Sequence, residues 1–481
     1  MKRKTILRAV LILAIATIAL AFPVQKTEAS LAVSRRPEVY VKDAATNGAI
    51  PGASIYLSGS FAGVTDSNGE FYIPYASARL QITVQKNGYG VYQTTMDAVA
   101  QSVLTAYLTQ PSVVLIVATD GSGNYSSIQQ AINALPAQGG EVQVKDGTYH
   151  ETISIQKSNV ALRAIGTNVI LRVDKLNDNG ILIGNSKQGQ SFVLIEGLHI
   201  IGGQAAGNGT WDGGRGIWIY KSTHSIITRV QVENMGSSGI EIYQASQNTV
   251  QDSEVLNCRE HGVRLYGSSD NLFTQVSSHD NGLTNFILVP SDLLTSERNK
   301  FIACTSSNPY DNGFYIDIGS NENEIRNSYS QDATNSWGAS SGGSGIMVKG
   351  NGNIIADNIV THCRNGIQLT YGASDNQVLR NTVTRCVATI AGSGTAIIVN
   401  DNGAPCTNNE ISGNRCQDNE RDGIEIGTNA MYNSITDCIL VNNARHDLTV
   451  YGSYNTGTRN VYSTSYIVGI SNAIDPSLPP S

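Results

Sequence analysis

Asparagine recurs through the second half of this 481-residue chain at a spacing that few folds can use. Asn248, Asn271, Asn299, Asn323, Asn353, Asn376, Asn409, Asn433 and Asn460 form one column, at intervals of 23, 28, 24, 30, 23, 33, 24 and 27 residues. Two residues after the first eight stands an apolar side chain: Val250, Phe273, Phe301, Ile325, Ile355, Val378, Ile411 and Ile435. A second column reads Gly-apolar-x-apolar, as GIWI at 216, GIEI at 239, GVRL at 262, GFYI at 313, GIMV at 345, GIQL at 366 and GIEI at 423. A period near 23 with inserts confined to two places is what stacked coils of short strands with variable turns produce. Each Asn amide then bonds its neighbour one coil away, about 4.8 Å along the stack. The column is structural, and Phe273, Val276, Phe286 and Leu288 are expected in the core.

Composition fits many short strands: 48 Gly and only 15% charged residues, where helices would bring more Leu, Ala, Glu and Lys. The net charge of −7 argues against nucleic acid or an anionic membrane as the main partner, yet allows an acidic ligand at a local basic patch. Seven cysteines are an odd number, so all cannot pair within one chain. Cys258, Cys363 and Cys386 each lie ten residues after a column Asn, and the last two occupy adjacent coils. Their expected Cα spacing of about 5 Å fits either a disulfide or stacked buried thiols.

Before the repeat the chain changes character twice. Lys2, Arg3, Lys4 and Arg8 precede the apolar run 9–22 and then TEAS, the order of a secretory signal over 1–29 cleaved after Ala29. The run is short for a full membrane span. The expectation is an exported protein, secreted or at the cell surface, with no membrane association after cleavage; oligomeric state and attachment stay open. Residues 37–109 alternate apolar and polar residues in short runs split by turns, the pattern of a small β-sandwich. The order GAIPGASIYL, GVTDSNGEFYI, LQITVQKNGY resembles the carboxypeptidase regulatory-like (transthyretin-like) domain, which implies an accessory module. From 113, a strand and a Gly-rich turn lead into Ile128, Ala131, Ile132 and Leu135 at helical spacing, after Ser126 and Ser127 as caps. This opening, DGSGNYSSIQQAI, resembles pectinesterases and other pectin lyase-like proteins, where such a helix covers the open end of a right-handed parallel β-helix. The expected fold is therefore all-β. A β-sandwich precedes a single-stranded right-handed parallel β-helix over 113–470, capped by a short N-terminal α-helix, with a tail at 471–481.

If the apolar residues of Gly-apolar-x-apolar point inward, two columns point out. One reads Trp218, Glu241, Arg264, Ile287, Tyr315, Met347, Gln368; the other Tyr220, Tyr243, Tyr266, Val289, Asp317, Lys349, Thr370. Stacked tyrosines and Glu241–Arg264 or Asp317–Lys349 pairs would stabilise any parallel sheet. The same residues suit a carbohydrate groove, since aromatic faces cover sugar rings and Arg and Lys meet uronate carboxylates. Inserts at 203–215, 330–344 and 386–395 before the strand, and 290–298 and 400–408 after it, would wall this face.

The resemblance to pectin lyase-like proteins implies a polysaccharide partner but does not choose a reaction. Glu241 and Asp317, three coils and about 14 Å apart, exceed the roughly 5–9.5 Å of a hydrolytic carboxylate pair. Elimination or epimerisation of a uronate needs a base at C5 and cationic help for the charge beside the carboxylate. Arg264, Tyr266 and His261 are the catalytic candidates, with Glu241 orienting Arg264. Trp218, Tyr220, Tyr243, Tyr315, Asp317 and Lys349 are the substrate-binding candidates. His261 falls in the turn before the strand, where solvent exposure would account for it; His279 and Asp280 are read as turn or outer-face residues. No cofactor is legible in the sequence; calcium held by Asp-bearing loops such as 174–180 stays open, without a legible ligand set. Two alternatives stand beside the lyase or epimerase reading: a non-catalytic adhesin or scaffold, and a glycoside hydrolase.

Overall fold

The computed structural model describes residues 36–58, 60–74, 79–86, 88–111, 113–203, 213–335, 342–400 and 402–476. The expected signal segment, parts of the 203–215 and 330–344 inserts and the last five residues lie outside them. Residues 38–108 form two small sheets. One orders Glu70–Tyr72, Glu38–Asp43 and Val103–Leu108; the other Ser60–Val64, Ser54–Leu57, Leu80–Gln85 and Tyr92–Met96. Alternate residues such as Val39, Val41, Ile55, Leu57, Ile82 and Val84 pack between them as a separate core. Gln93 of this unit donates a buried hydrogen bond of 2.9 Å to Thr249 of the following body.

That body is a parallel β-helix. Strands from Ile153–Ile155 through Ser465–Ile467 stack into one 13-stranded sheet, and the rest of each coil forms a larger parallel sheet. Each coil turns three corners, and at most of them one residue takes a left-handed backbone: Gln247, Asp252 and Asn257 in one coil, Asp270, Gln275 and Asp280 in the next. Single left-handed residues are affordable sterically where Asn and Asp dominate. The stack continues past the expected end, since Ala473–Ile474 pairs with Thr456–Gly457.

The helix Ile128–Ala134 closes the first coil and is pinned at both ends. Ser127 is its N-cap, accepting from the Gln130 amide at 3.2 Å, while Glu151 takes the Ile128 and Gln129 amides at 2.7 and 3.0 Å. At the other end the Lys157 ammonium donates to the carbonyls of Ile132, Asn133 and Leu135. Opposite charges thus sit at the two helix ends, as its dipole favours.

The asparagine ladder runs from Asn248 through Asn271, Asn299, Asn323, Asn353, Asn376, Asn409 and Asn433. It then continues through Asn455, not Asn460 as the column expected. Asn460 instead bonds the Cys438 amide, in a second column five residues on that carries the ladder Asn358, Asn381, Asn414. Asn323 accepts the Asn299 amide at 2.9 Å and donates to Ser296 O at 2.9 Å. Asn323→Ala would orphan both buried groups, and an expected loss of about 3 kcal/mol in chemical denaturation follows.

All seven cysteines are buried free thiols, so the Cys363–Cys386 disulfide does not form. Burial pushes the Cys363 thiol up to about 12, and the pair sits in the core as small apolar filling. No helix among the described residues is long and apolar enough to cross a membrane.

Candidate functional site

The 13-stranded sheet carries both expected outward columns in register. Trp218 pairs with Glu241, Glu241 with Arg264, Arg264 with Ile287, Ile287 with Tyr315 and Tyr315 with Met347. Tyr220, Tyr243, Tyr266 and Val289 follow one another two residues on.

Glu241 is 2% exposed and lies between two guanidinium groups, 3.2 Å from Arg215 and 3.6 Å from Arg264. Arg215 also lies over the Trp218 ring at 4.7 Å, and Arg264 over Tyr266 at 5.2 Å. Glu241 is thus an anchor for two cations, not a free base. Its neighbour Glu260 accepts from the Ser237 hydroxyl at 2.6 Å, and burial raises its carboxyl above the ordinary range. Arg215 and Arg264 both act on Glu260 as well as on Glu241, and their charges oppose the effect of burial there.

Two expectations change here. His261 is buried at 4% exposure, not in solvent. It takes the position before the motif glycine, where the chain folds onto Thr284 of the next coil. Burial and the Arg264 charge lower it to about 3, so it is neutral at any ordinary pH. The sign follows: the unfolded chain takes up a proton at this residue below about 6.5 while the folded chain refuses it until about 3. Its contribution to stability is present above 6.5 and lost across that window as pH falls; His261→Gln is expected to flatten that part of a melting-temperature profile.

Second, the tyrosines stack on one another. Tyr243 lies between Tyr220 and Tyr266 at ring distances of 4.7 and 5.0 Å, with interplanar angles of 21° and 12°. Rings one coil apart on parallel strands stack on each other, so both faces of Tyr243 and the inner faces of Tyr220 and Tyr266 are closed to a ligand. His279 and Asp280 lie at a corner on the outer side, as expected; His279 is held between Asp280 at 2.7 Å and Glu254 at 3.1 Å on the other sheet, away from this face.

Two coils further on, Tyr315 donates to Asp317 at 2.7 Å, and Lys349 lies between the rings of Tyr315 and Tyr371 at 4.9 and 4.4 Å. Burial and the Asp317 charge raise the Tyr315 phenol, and burial lowers the Lys349 ammonium. Leu283, Ile287 and Val289 separate this group from the Arg264 group.

Sequence reasoning missed a third column two residues before the motif glycine: Ser237, Glu260, Leu283, Asp311 and Gly343, joined by main-chain bonds from coil to coil. The signal was available in EHG and YDNG, but the alternation rule stops at the glycine. Among the described residues no group of three or more His, Cys, Asp or Glu is arranged to hold a metal. Asp174 of the 174–180 loop pairs with His150 instead.

The family model for a right-handed β-helix region matches residues 153–330 and 292–468, more than half of the chain. The chain belongs to the right-handed β-helix family. A pectinesterase model matches residues 114–177, the capping helix and first coils of this β-helix protein. The curated relatives match the same way, over short stretches. The putative pectinesterase/pectinesterase inhibitor 28 of Arabidopsis thaliana is 30% identical over 101 residues, 20% of this chain and 13% of that protein. The probable pectinesterase/pectinesterase inhibitor 17 of the same plant is 48% identical over 52 residues, 11% of this chain and 10% of that one. Matched stretches therefore span little of the relatives' length. Among solved structures, the catalytic domain of a GH87 alpha-1,3-glucanase in complex with tetrasaccharides covers 85% of this β-helix chain and 86% of its own. Its TM-score is 0.55 at 14% identity, a likeness of fold.

Proposed function

We propose that the outer face of the 13-stranded sheet binds an acidic polysaccharide and removes the C5 proton of a uronate, leading to elimination or epimerisation. The observation that carries this reading is the Arg215–Glu241–Arg264 arrangement, two cations held by one buried carboxylate in a protein of net charge −7. Arg264, its side chain 15% exposed, would neutralise the substrate carboxylate and the charge that develops beside it. Tyr266, next to the Arg264 guanidinium, is the group placed to exchange a proton with the sugar. Glu241 positions both arginines, and Trp218, Tyr315, Asp317 and Lys349 contribute contacts along the groove. Tyr220 and Tyr243 contribute hydroxyls. His261 drops out of the catalytic set because substrate cannot reach it. The chain would act outside the cell.

A non-catalytic binder is the second reading, favoured by the covered tyrosine faces and by the saturation of Glu241. Hydrolysis is weaker. Glu241 and Asp317 keep their three-coil separation, and Glu260, nearer to Asp311, is buried under Ser237.

The test is an ultraviolet assay of the exported chain against polygalacturonate, alginate and other uronans, with and without calcium. An absorbance rise from unsaturated uronate on one polymer, lost in Arg264→Ala, supports elimination. Epimerised product without the rise supports the companion reaction. Binding with no altered sugar would leave the binder.

A further inference from the structure

At the far end of the same sheet face a second mixed-charge group is built to the same composition as the first. The first has Arg215, Arg264, Glu241, Glu260 and His261; the second has Arg421, Arg445, Asp422, Glu425 and His446. The strands between Val263–Tyr266 and Asp422–Ile426 are Phe286–Val289, Phe314–Ile316, Ser344–Val348, Asn365–Leu369 and Ile397–Val399. The groups are thus six coils apart, about 29 Å by the strand spacing.

The geometry of the second group differs from the ion pairs that decorate the corners of the coils. At the corners one Arg meets one Asp of the neighbouring coil in solvent, as Arg380 meets Asp357 at 2.7 Å and Arg459 meets Asp437 at 2.6 Å. On the sheet face Asp422 is fully buried and takes Arg445 through two nitrogens, the Thr449 hydroxyl at 3.1 Å and Arg421 at 3.5 Å. Glu425 takes Arg421 at 2.9 Å and Arg445 at 3.2 Å. Both arginines are therefore fixed by two carboxylates, while their outer edges and His446 remain partly exposed. Tyr451 accepts from Arg445 at 3.3 Å, and Tyr466, 45% exposed, stacks on His446 at 5.8 Å. Rigid guanidinium forks beside an open aromatic ring are a recognition surface for a planar carboxylate on a sugar.

We propose that Arg421, Arg445 and His446, oriented by Asp422 and Glu425, form a second binding site for the carboxylates of an acidic polysaccharide. The inference rests on the reading given under Proposed function and extends it: the ligand lies along the β-helix axis and engages both groups. Linking two sites through one polymer multiplies their affinities, which a short oligomer cannot exploit.

The site also carries its own pH response. Glu425 is raised to about 7, chiefly by burial and by Asp422 against the pull of Arg421 and Arg445. Those three face it from its own coil and the next, where Thr449 is its strand neighbour; on the preceding coil the neighbour is the uncharged Ile398. His446 faces Asp422 at 3.8 Å. With Glu425 protonated the two arginines face one carboxylate; with it ionised they face two. Anion binding at this site should weaken as pH rises through about 7.

The experiment measures dissociation constants of the full exported chain for polygalacturonate and alginate, and for their trimers, at pH 6 and pH 8. Arg445→Ala is expected to weaken polymer binding at least tenfold and leave trimer binding at the Arg264 site unchanged. Glu425→Gln keeps the hydrogen-bonded packing and should retain the pH 6 polymer affinity at pH 8, where the unaltered chain loses several-fold. Polymer binding that is indifferent to Arg445→Ala, or a pH response unchanged in Glu425→Gln, overturns the second site while Arg264→Ala still reports the first. Failure of every uronan to bind the unaltered chain overturns both readings.

Discussion

Phe301→Ala is expected to lower the unfolding free energy by about 3–5 kcal/mol, the range for truncating a buried Phe. Phe301 is fully buried and stacks on Phe273 at 4.7 Å with an interplanar angle of 9°. It meets the edges of Phe286 and Phe314 at 5.7 and 6.1 Å, and those two rings stack on each other at 4.6 Å. The four rings fill two successive layers of the core. Collapse around the void is restricted, because the coils above and below are held at fixed spacing by the Asn271–Asn299–Asn323 ladder and the parallel strands. Phe301→Leu should cost less than half as much. Chemical denaturation followed by circular dichroism reads both; equal, small losses would mean that the stack is not a packing unit.

Arg264→Ala is expected to lower kcat/KM on the responsive uronan by about a hundredfold or more, the usual cost of removing one group that stabilises developing negative charge. Arg264→Lys should recover only a small part. An ammonium is a compact point charge, whereas the planar guanidinium fork can meet a carboxylate through two parallel N–H groups while also reaching Glu241. Stability should change little by comparison, since Glu241 retains Arg215 at 3.2 Å. A variant that melts normally and turns over normally would remove Arg264 from the site.

The repeat was legible because its two signals, a glycine and an amide, each have a physical reason to recur once per coil. Gly239 shows the first: a Cβ there would meet Val255 Cγ1 at 2.2 Å. The misplacement of Asn460 came from the second. Coils here carry two amides five residues apart, as in Asn353 and Asn358 or Asn376 and Asn381, and both lie in buried ladders. When the last coils shorten, spacing alone cannot say which ladder an Asn joins.

The outward columns were legible as far as strict alternation runs, and so Trp218, Glu241 and Arg264 fell into register. His261 and Glu260 were not, because they precede the glycine, where the chain bends and alternation no longer assigns a face. The covered faces of Tyr220, Tyr243 and Tyr266 followed from strand spacing, yet a column of letters does not show ring planes. Arg421, Asp422 and Arg445 likewise precede the apolar-x-apolar run of their coils, where alternation assigns no face, so the partners of Glu425 are not visible in its column.

The central claim is proton removal from C5 of a uronate at the Arg264 face, and one measurement addresses it whatever the subsequent step. The unaltered chain is incubated with each uronan in deuterium oxide and the sugars are examined by nuclear magnetic resonance. Deuterium at C5, or an unsaturated terminal sugar, on one polymer, with neither in Arg264→Ala, is the predicted result. Sugars that bind the chain yet keep their C5 protons and their chain length across the whole panel would contradict it and leave the face a binding surface.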